Sequence, residues 1–296
     1  MNLVKGLQTA KHQLFLGTRA VQAAGRVVRD RAVYPAVNAV QPTVFDHARF
    51  AEADGQFPMD YFLNRGPEHR GVWALAPARI FALWTGDNGL SPNRLAALDS
   101  IRAAQSADVE VTLVTPDRLH EWEVAGSPIH PAYERLSLVH RSDYLRCYLM
   151  HHHGGGYTDI KHTAVDWRPF FGRLNADRRA WVLGYPEQSS REAAYMESPL
   201  GREIRRRYAE LAGNGAFICK PGTPLTTAWL DEVSARMDYY HRALERNPAT
   251  DPFGQAPGYP LPWTVLQAQV FQPLQLQYLD RVLLDPALRP SMKEHR

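Results

Sequence analysis

The sequence predicts an α/β fold, and this class rests on three consecutive segments. Residues 78–86 (ARIFALWTG) form a short apolar run that ends in Gly, as buried strands do. Residues 91–105 begin with Ser-Pro and then repeat apolar residues at helical spacing, which places Pro in the first turn of a helix. Residues 109–117 alternate in polarity and break at Pro116, which predicts a second strand. Strand, helix and strand in this order begin a βαβ unit with parallel pairing.

The elements that follow keep this alternation. Residues 130–153 predict one or two helices, and residues 154–165 predict a turn followed by a strand. Two apolar segments, 181–187 and 214–221, predict further strands. Residues 223–244 predict an amphipathic helix. Its apolar side is formed by Leu225, Trp229, Val233, Met237 and Tyr240.

The N-terminal segment, residues 1–31, is predicted to be helical and basic. Six basic residues against one acid give it a charge of +5, more than the +3 of the whole chain. Such a segment either packs on the body of the protein or lies on an anionic membrane surface. Residues 32–70 lack a clear period and predict an irregular connector. The predicted organisation is therefore an extension with connector at 1–74, an α/β domain at 75–285 and a tail at 286–296. The charged residues of the first segment are Lys5, Lys11, Arg19, Arg26, Arg29 and Arg31 against Asp30.

Composition excludes several classes of protein. The fractions of hydrophobic (45%) and charged (22%) residues are typical of a globular domain with a sizeable core. The small net charge and the lack of a nucleic-acid-binding motif predict no nucleic-acid partner. Cys147 and Cys219 stand alone in apolar settings, which excludes a disulfide framework and a zinc motif. The apolar runs are shorter than the roughly 18 residues of a membrane span, and no secretory signal is recognisable, so a cytoplasmic protein is expected.

The segment MHHHGGGYTDIK, residues 150–161, contains the residues with the most chemistry. On a helix, consecutive histidines fan across about 200° and cannot converge on one metal ion, so His151–His153 are predicted to end a helix. The three glycines after them are predicted to turn the chain sharply. Along a following strand, alternation places Tyr157, Asp159 and Lys161 on one face.

The helix before this segment carries a matching pair of charges. Asp143 and Arg146 are three residues apart and are therefore neighbours on the helix surface. Taken alone, they could be an ordinary surface ion pair of little energetic value.

Together, residues 142–161 (SDYLRCYLMHHHGGGYTDIK) resemble a known signature, Ser-Asp-x-x-Arg, a helix, Gly-Gly, an aromatic residue and Asp-x-Asp. It is the sugar-binding region of DXD-containing glycosyltransferases, which include family 32 mannosyltransferase relatives, capsular polysaccharide synthesis proteins and clostridial glucosylating toxins. The resemblance covers residues 79 to about 170 well and extends more weakly through 213–225 and 258–274. It implies a GT-A-like domain that takes a nucleotide-diphosphate sugar as donor and a glycan or lipid-linked molecule as acceptor. It also implies a role in capsular or other cell-surface glycoconjugate synthesis, a retaining reaction and, with the basic N-terminus, a place at the inner face of the membrane.

The resemblance implies a role for individual residues. Asp143 and Arg146 would hold the donor sugar beside the leaving diphosphate, and Asp159 would be the first motif Asp, which contacts the ribose and the metal. Trp84 would lie near the nucleobase. The predicted donor site is completed by Thr85, Gly155, Tyr157 and Asn214, although an Asn-Gly turn explains Asn214 equally well.

The sequence departs from the family at Lys161, which stands where the second motif Asp, a metal ligand, is expected. Three interpretations stay open. The ammonium of Lys161 could bind the diphosphate directly and replace the metal. Alternatively, Asp159 could keep Mn²⁺ or Mg²⁺ with help from another group such as Asp166. In the third interpretation the site is degenerate, and the protein binds a nucleotide sugar or a glycan without turnover.

Overall fold

The computed structural model describes residues 18–41, 62–64 and 73–291, and the chain divides into two compact units, Met1–Val44 and Phe45–Arg296. No helix within the described part of the chain is long and apolar enough to cross a bilayer.

The first unit is helical throughout its described residues. Helix α1 is described from residue 18 to residue 28, a π-helical stretch follows at Arg29–Val33, and helix α2 spans Tyr34–Val40. The predicted N-terminal helix is thus seen from residue 18 onward, and its earlier part lies outside the described residues. The prediction of irregular chain from residue 32 is wrong as far as Val40. Pro35 lies in the first turn of α2, directly after the π-helical stretch, and does not end the helix.

The second unit alternates strands and helices around one sheet, which confirms the predicted α/β class and is consistent with a GT-A-like domain. The strands are β1 (Arg79–Leu83), β2 (Glu110–Val114), β3 (Gly155–Thr158), β4 (Val182–Pro186), β5 (Ala212–Cys219) and β6 (Val282–Leu284). The helices are α3 (Pro92–Ala104), α4 (Leu138–His152), α5 (Arg168–Ala176), α6 (Pro199–Arg206), α7 (Pro224–Arg246) and α8 (Ala268–Gln277). Short 3₁₀ turns lie at Phe62–Asn64, Pro116–Trp122, Tyr133–Arg135, Tyr208–Glu210, Leu279–Arg281 and Pro286–Leu288.

The sheet is mixed, with the strand order β2-β1-β3-β5-β4-β6. The predicted parallel pairing is confirmed for β1 with β2, and β1 also pairs in parallel with β3. β5, however, runs antiparallel to both of its neighbours, β3 and β4. The carboxyl ends of β1 to β4 therefore meet the amino end of β5 at one edge of the sheet, where ligands bind in open α/β folds.

Helices cover both faces of the sheet. On one face α3 and α5 pack through residues such as Leu98 and Phe171 against Ala82 and Ile218. On the other face α4 packs against α7 and α7 packs against α8. There the ring of Trp229 in α7 stacks on that of Phe271 in α8, with centroids 4.3 Å apart, and both contact the Phe217 ring of β5.

The connection from α4 to β3 has the predicted form. The helix ends at His152, and His153 Nε2 donates a hydrogen bond to the Trp122 carbonyl at 2.8 Å, so the histidines do terminate a helix. Gly154 and Gly155 then adopt positive φ angles of 62° and 93°. A Cβ on Gly155 would lie 2.7 Å from the Arg79 carbonyl oxygen of β1, so only glycine fits there.

β3 is shorter than predicted. It ends at Thr158, and the Lys161 N–H donates to the Asp159 carbonyl at 2.7 Å in a tight turn. The prediction of a continuous strand through residue 161 is therefore wrong, and Asp159 and Lys161 approach each other through this turn instead of through strand alternation. The segment predicted as a tail from residue 286 also packs on the domain, since Leu288 is buried in the core.

Candidate active site

Two adjacent pockets open at the edge of the sheet where the strands end. The first has a volume of about 410 Å³ and lies at the ends of β1 and β2. The second has a volume of about 360 Å³ and lies at the ends of β3, β4 and β5. Both volumes are typical of small-molecule sites. The first is lined by Trp84, Gly86, Asp87, Asn88, Gly89, Leu90, Leu113, Thr115, Pro116 and Asp117, and the second by Arg146, Asp159, Lys161, Tyr185, Glu187, Glu192, Asn214, Gly215 and Arg289.

Arg146 connects the predicted site residues with one another. Its guanidinium lies 3.4 Å from the Asp143 carboxylate and 3.6 Å from that of Asp159. It also donates to the Asn214 carbonyl at 3.3 Å and covers the Tyr157 ring, with the guanidinium carbon 4.4 Å from the ring centroid. The structure therefore brings together five of the residues that the resemblance assigned to the donor site.

Asp143 is buried, which excludes the interpretation of Asp143–Arg146 as a surface ion pair. Its side chain is 6% exposed, and burial raises the pKa of its carboxyl although Arg146 and His140 oppose this shift. His140 is held by hydrogen bonds to Ser137 and Tyr259 and to the carbonyl of Pro262. Burying two charged groups in this way costs free energy. Buried charges with shifted pKa values are found more often at functional sites than in inert packing.

Asp159 is surrounded by donors. Its Oδ1 accepts a hydrogen bond from the Tyr157 hydroxyl at 2.7 Å, and its Oδ2 accepts one from the Lys161 ammonium at 2.8 Å. Burial alone would raise the pKa of Asp159, but the charges of Arg146 and Lys161 and these hydrogen bonds hold it below its usual range. Asp159 is therefore a fixed carboxylate whose two oxygens are both engaged.

These contacts do not fit a divalent cation. A metal ion bound to Asp159 Oδ2 would lie close to the Lys161 ammonium, which is 2.8 Å from that oxygen, and the two positive charges would repel each other. Asp143 faces Arg146, and Asp166 is held elsewhere by Ser106 and by the backbone N–H of Arg168. Within the described ranges, no group of three His, Cys, Asp or Glu side chains is arranged to hold a metal.

The remaining predicted residues have separate positions. Trp84 lines the first pocket, and its indole Nε1 donates to the Asn88 carbonyl at 2.5 Å. Thr85 lies outside the linings of both pockets. Its hydroxyl donates a hydrogen bond to the Leu138 carbonyl at the start of α4. Gly155 also lies outside both linings, where it allows β3 to approach β1.

The second pocket has an acidic wall that the sequence did not reveal. Glu187 directly follows β4, is 5% exposed and makes a hydrogen bond with the carboxyl of Glu192. Glu192 in turn accepts a hydrogen bond from Arg289 at 3.1 Å. Burial and the neighbouring Glu192 raise the pKa of Glu187 to about 8. The available signal was its place just after an apolar strand, where α/β folds present ligand-binding side chains.

Three glutamines hold the segments around this wall in place. Two of them lie in α8, and the third is the residue before it. Gln275 accepts from the Ala212 N–H at 2.6 Å and donates to the Ala212 carbonyl at 3.2 Å, which fixes the start of β5. Gln272 accepts from the N–H of Ala194 at 2.6 Å. Gln267 donates to the side-chain oxygen of Asn214 at 3.3 Å. Hydrogen bonds from these side chains to backbone and side-chain groups of neighbouring segments hold the segments in one geometry.

Comparisons with known proteins give distant similarity to solved structures and no match to a family model or a curated sequence. Among solved structures, the chain is similar to the PaToxG glycosyltransferase, with 14% identity, a TM-score of 0.35, and coverage of 78% of this chain and 85% of that chain.

Proposed function

We propose that this protein is a glycosyltransferase that moves a sugar from a nucleotide-diphosphate donor to a hydroxyl group of a glycan or lipid-linked acceptor. The observation that carries the proposal is the cluster of Arg146, Asp159 and Lys161 in the second pocket, at the edge of the sheet where the first pocket also opens. A cationic centre beside a nucleoside-sized pocket suits a substrate with a nucleoside at one end and a diphosphate in its middle.

The first pocket is the proposed nucleoside site. Its wall offers the aromatic ring of Trp84 for contact with a base and the carboxylate of Asp117 for hydrogen bonds from ribose hydroxyls. Because β1 is the neighbour of β3 in the sheet, a diphosphate that leaves this pocket comes next to Asp159 and Lys161.

Lys161 and Arg146 are the proposed electrophilic groups. As the bond between the sugar carbon and the diphosphate oxygen breaks, negative charge develops on the diphosphate. Fixed cations stabilise such charge because they need no reorganisation when it appears. An ammonium has three N–H donors and can bind a phosphate oxygen while it keeps Asp159. We therefore propose that transfer needs no divalent cation. The family resemblance implies retention of configuration, and NMR of the product anomer distinguishes it from the inversion that direct displacement of the diphosphate by the acceptor would give.

A thermal-shift screen tests this proposal. UDP-, GDP- and dTDP-sugars are each tested with EDTA and with Mn²⁺, and binding of a donor to the native state raises the apparent melting temperature. We expect one nucleotide class to stabilise the protein equally in both conditions, and to be hydrolysed or transferred. Binding without any turnover would favour the alternative of a non-catalytic nucleotide-sugar-binding protein.

We further propose that the basic N-terminal segment, residues 1–31, carries the protein to the anionic inner surface of a membrane, where lipid-linked acceptors of capsular or other cell-surface glycoconjugate synthesis are found. Its charge of +5 supports this, since each basic residue near such a surface contributes about 1 kcal/mol. Deletion of residues 1–31 should abolish co-sedimentation with vesicles that contain phosphatidylserine. Unchanged partitioning of the truncated protein would contradict the proposal.

A further inference from the structure

The acidic wall of the second pocket lies at the end of the sheet edge farthest from the nucleoside pocket. In the order β2-β1-β3-β5-β4-β6, the nucleoside pocket lies at β2 and β1, the Asp159–Lys161 pair at β3, and Glu187 at β4. A donor whose nucleoside lies at β2 and β1 and whose diphosphate lies at β3 presents its sugar carbon toward β5 and β4. Glu187 therefore stands where the acceptor must approach.

The backbone of Asn214 holds the carboxyl of Glu187 near the place where the acceptor would approach. The Asn214 N–H donates a hydrogen bond to the Glu187 carboxyl, and the Asn214 carbonyl accepts one from Arg146. A single residue of β5 thus joins the carboxyl of Glu187 to the guanidinium beside the proposed diphosphate position.

Among the carboxyl groups that line this pocket, Glu187 is the one not bound by a cation at salt-bridge distance. Asp159 is bound by Lys161 and Arg146, and Glu192 is bound by Arg289. Glu187 instead makes its hydrogen bond with the carboxyl of Glu192.

We propose that Glu187 is a catalytic residue that binds the acceptor hydroxyl and takes up its proton during transfer. As the acceptor oxygen bonds to the sugar carbon, the bond from that carbon to the diphosphate oxygen breaks and its electron pair leaves with the diphosphate. The acceptor proton moves to the ionised carboxylate of Glu187 and is later released to water. This role rests on the proposed glycosyl transfer and assigns the residue that selects hydroxyl acceptors.

The charged and titratable groups around Glu187 predict how the reaction depends on pH. Glu192 is the carboxyl that raises the pKa of Glu187, and Arg289 lowers it. Tyr185 of β4 lies beside them, and its hydroxyl accepts a hydrogen bond from the Gly215 N–H. Since Glu187 must be ionised to accept a proton, the rate should rise about tenfold per pH unit up to a pH of about 8.

The test measures hydrolysis of UDP-glucose, GDP-mannose and dTDP-glucose, and transfer from each to glycerol, between pH 5.5 and 9.5. Glu187→Gln should lower both rates by roughly 10²- to 10⁴-fold and remove the rise with pH. The affinity for the nucleoside diphosphate, measured by calorimetry, should stay unchanged. Glu245→Gln, which alters a half-exposed carboxylate on α7, is the matched control and should behave as the wild type.

Two further variants keep the test informative if Glu187→Gln does not fold. Glu192→Gln removes the anionic neighbour and should move the rise to lower pH, and Arg289→Gln removes the cation and should move it to higher pH. A purely structural role would not produce opposite shifts. A wild-type pH profile in Glu187→Gln, or unmoved profiles in the other two variants, would overturn the proposal. Failure of the proposed glycosyl transfer is recognised separately, because the wild type itself would then turn over none of the three donors.

Discussion

Replacing Lys161 by Asp tests whether the Lys161 ammonium neutralises the charge of a bound diphosphate in place of a metal ion. The substitution restores the second carboxylate of an Asp-x-Asp motif in the turn that places residue 161 beside Asp159. If Lys161 takes the place of a metal ion, the wild type should neither bind nor need one. Lys161→Asp should then acquire a dependence on Mn²⁺.

The structure sets the size of the effect. Lys161 Nζ lies 2.8 Å from Asp159 Oδ2, and the side chains of Lys161 and Asp159 are only 13% and 24% exposed. Loss of this charge-assisted hydrogen bond costs about 1.5–3 kcal/mol. Two facing carboxylates add repulsion, which is limited because each raises the pKa of the other and one of them takes up a proton. We therefore expect Lys161→Asp to lower the free energy of unfolding by about 3–5 kcal/mol without a metal, and Mn²⁺ to restore part of it.

Calorimetry with Mn²⁺ and donor turnover in EDTA or Mn²⁺ measure the two consequences. Loss of one preorganised cation should reduce turnover by roughly 10²- to 10³-fold. Lys161→Gln is the matched control, since it removes the charge without adding a ligand and should not respond to Mn²⁺. Complete loss of wild-type turnover in EDTA, or full activity of Lys161→Asp without a metal, would refute the reasoning.

Three other predictions concern the pocket, the turn and the pH dependence of stability. Trp84→Ala should weaken nucleoside-diphosphate binding by about 1–3 kcal/mol in calorimetry, whereas Tyr239→Ala, a half-exposed aromatic on α7, should not. Gly155→Ala should lower the free energy of unfolding in urea by about 1–3 kcal/mol, because φ is +93° and the added Cβ would contact the backbone of β1. In the control Gly172→Ala in α5, the added Cβ would meet no atom within 4 Å, and the substitution should not destabilise the protein. Because the pKa of Glu187 rises from 4.5 to about 8 on folding, the native state holds the extra proton, and stability should fall between these pH values by up to about 1.4 kcal/mol per unit. Melting curves at pH 5, 6.5 and 8 should show this fall in the wild type and a weaker one in Glu187→Gln.

Local sequence signals predicted the start of α3 and the turn after α4. The Ser-Pro start of α3 is a helix cap in the structure, with the Ser91 hydroxyl accepting from the Arg94 N–H. The glycines after α4 turn the chain as predicted, because positive φ is a local requirement. Arg146 and Asp159, separated by one helix end and one short strand, meet because β3 follows α4 directly.

Contacts between distant segments could not be predicted in the same way. Glu192 and Arg289 are 97 residues apart, and Arg289 lies in the segment expected to be a tail. No periodicity marks either residue, since both lie outside regular elements. Their meeting depends on β6 pairing with β4 at the far side of the sheet, which is a property of the whole fold.

The direction of β5 determines which residues meet in the second pocket. An apolar run predicts a strand but not its direction, so the sequence left the direction of β5 open. In a parallel β5, Asn214 near its amino end would lie at the edge opposite to the carboxyl ends of β3 and β4. Because β5 is antiparallel, Asn214 lies beside both Asp159 and Glu187, and its backbone binds Arg146 on one side and Glu187 on the other. The reversed strand is thus the feature that joins the cationic centre to the acidic wall in one pocket.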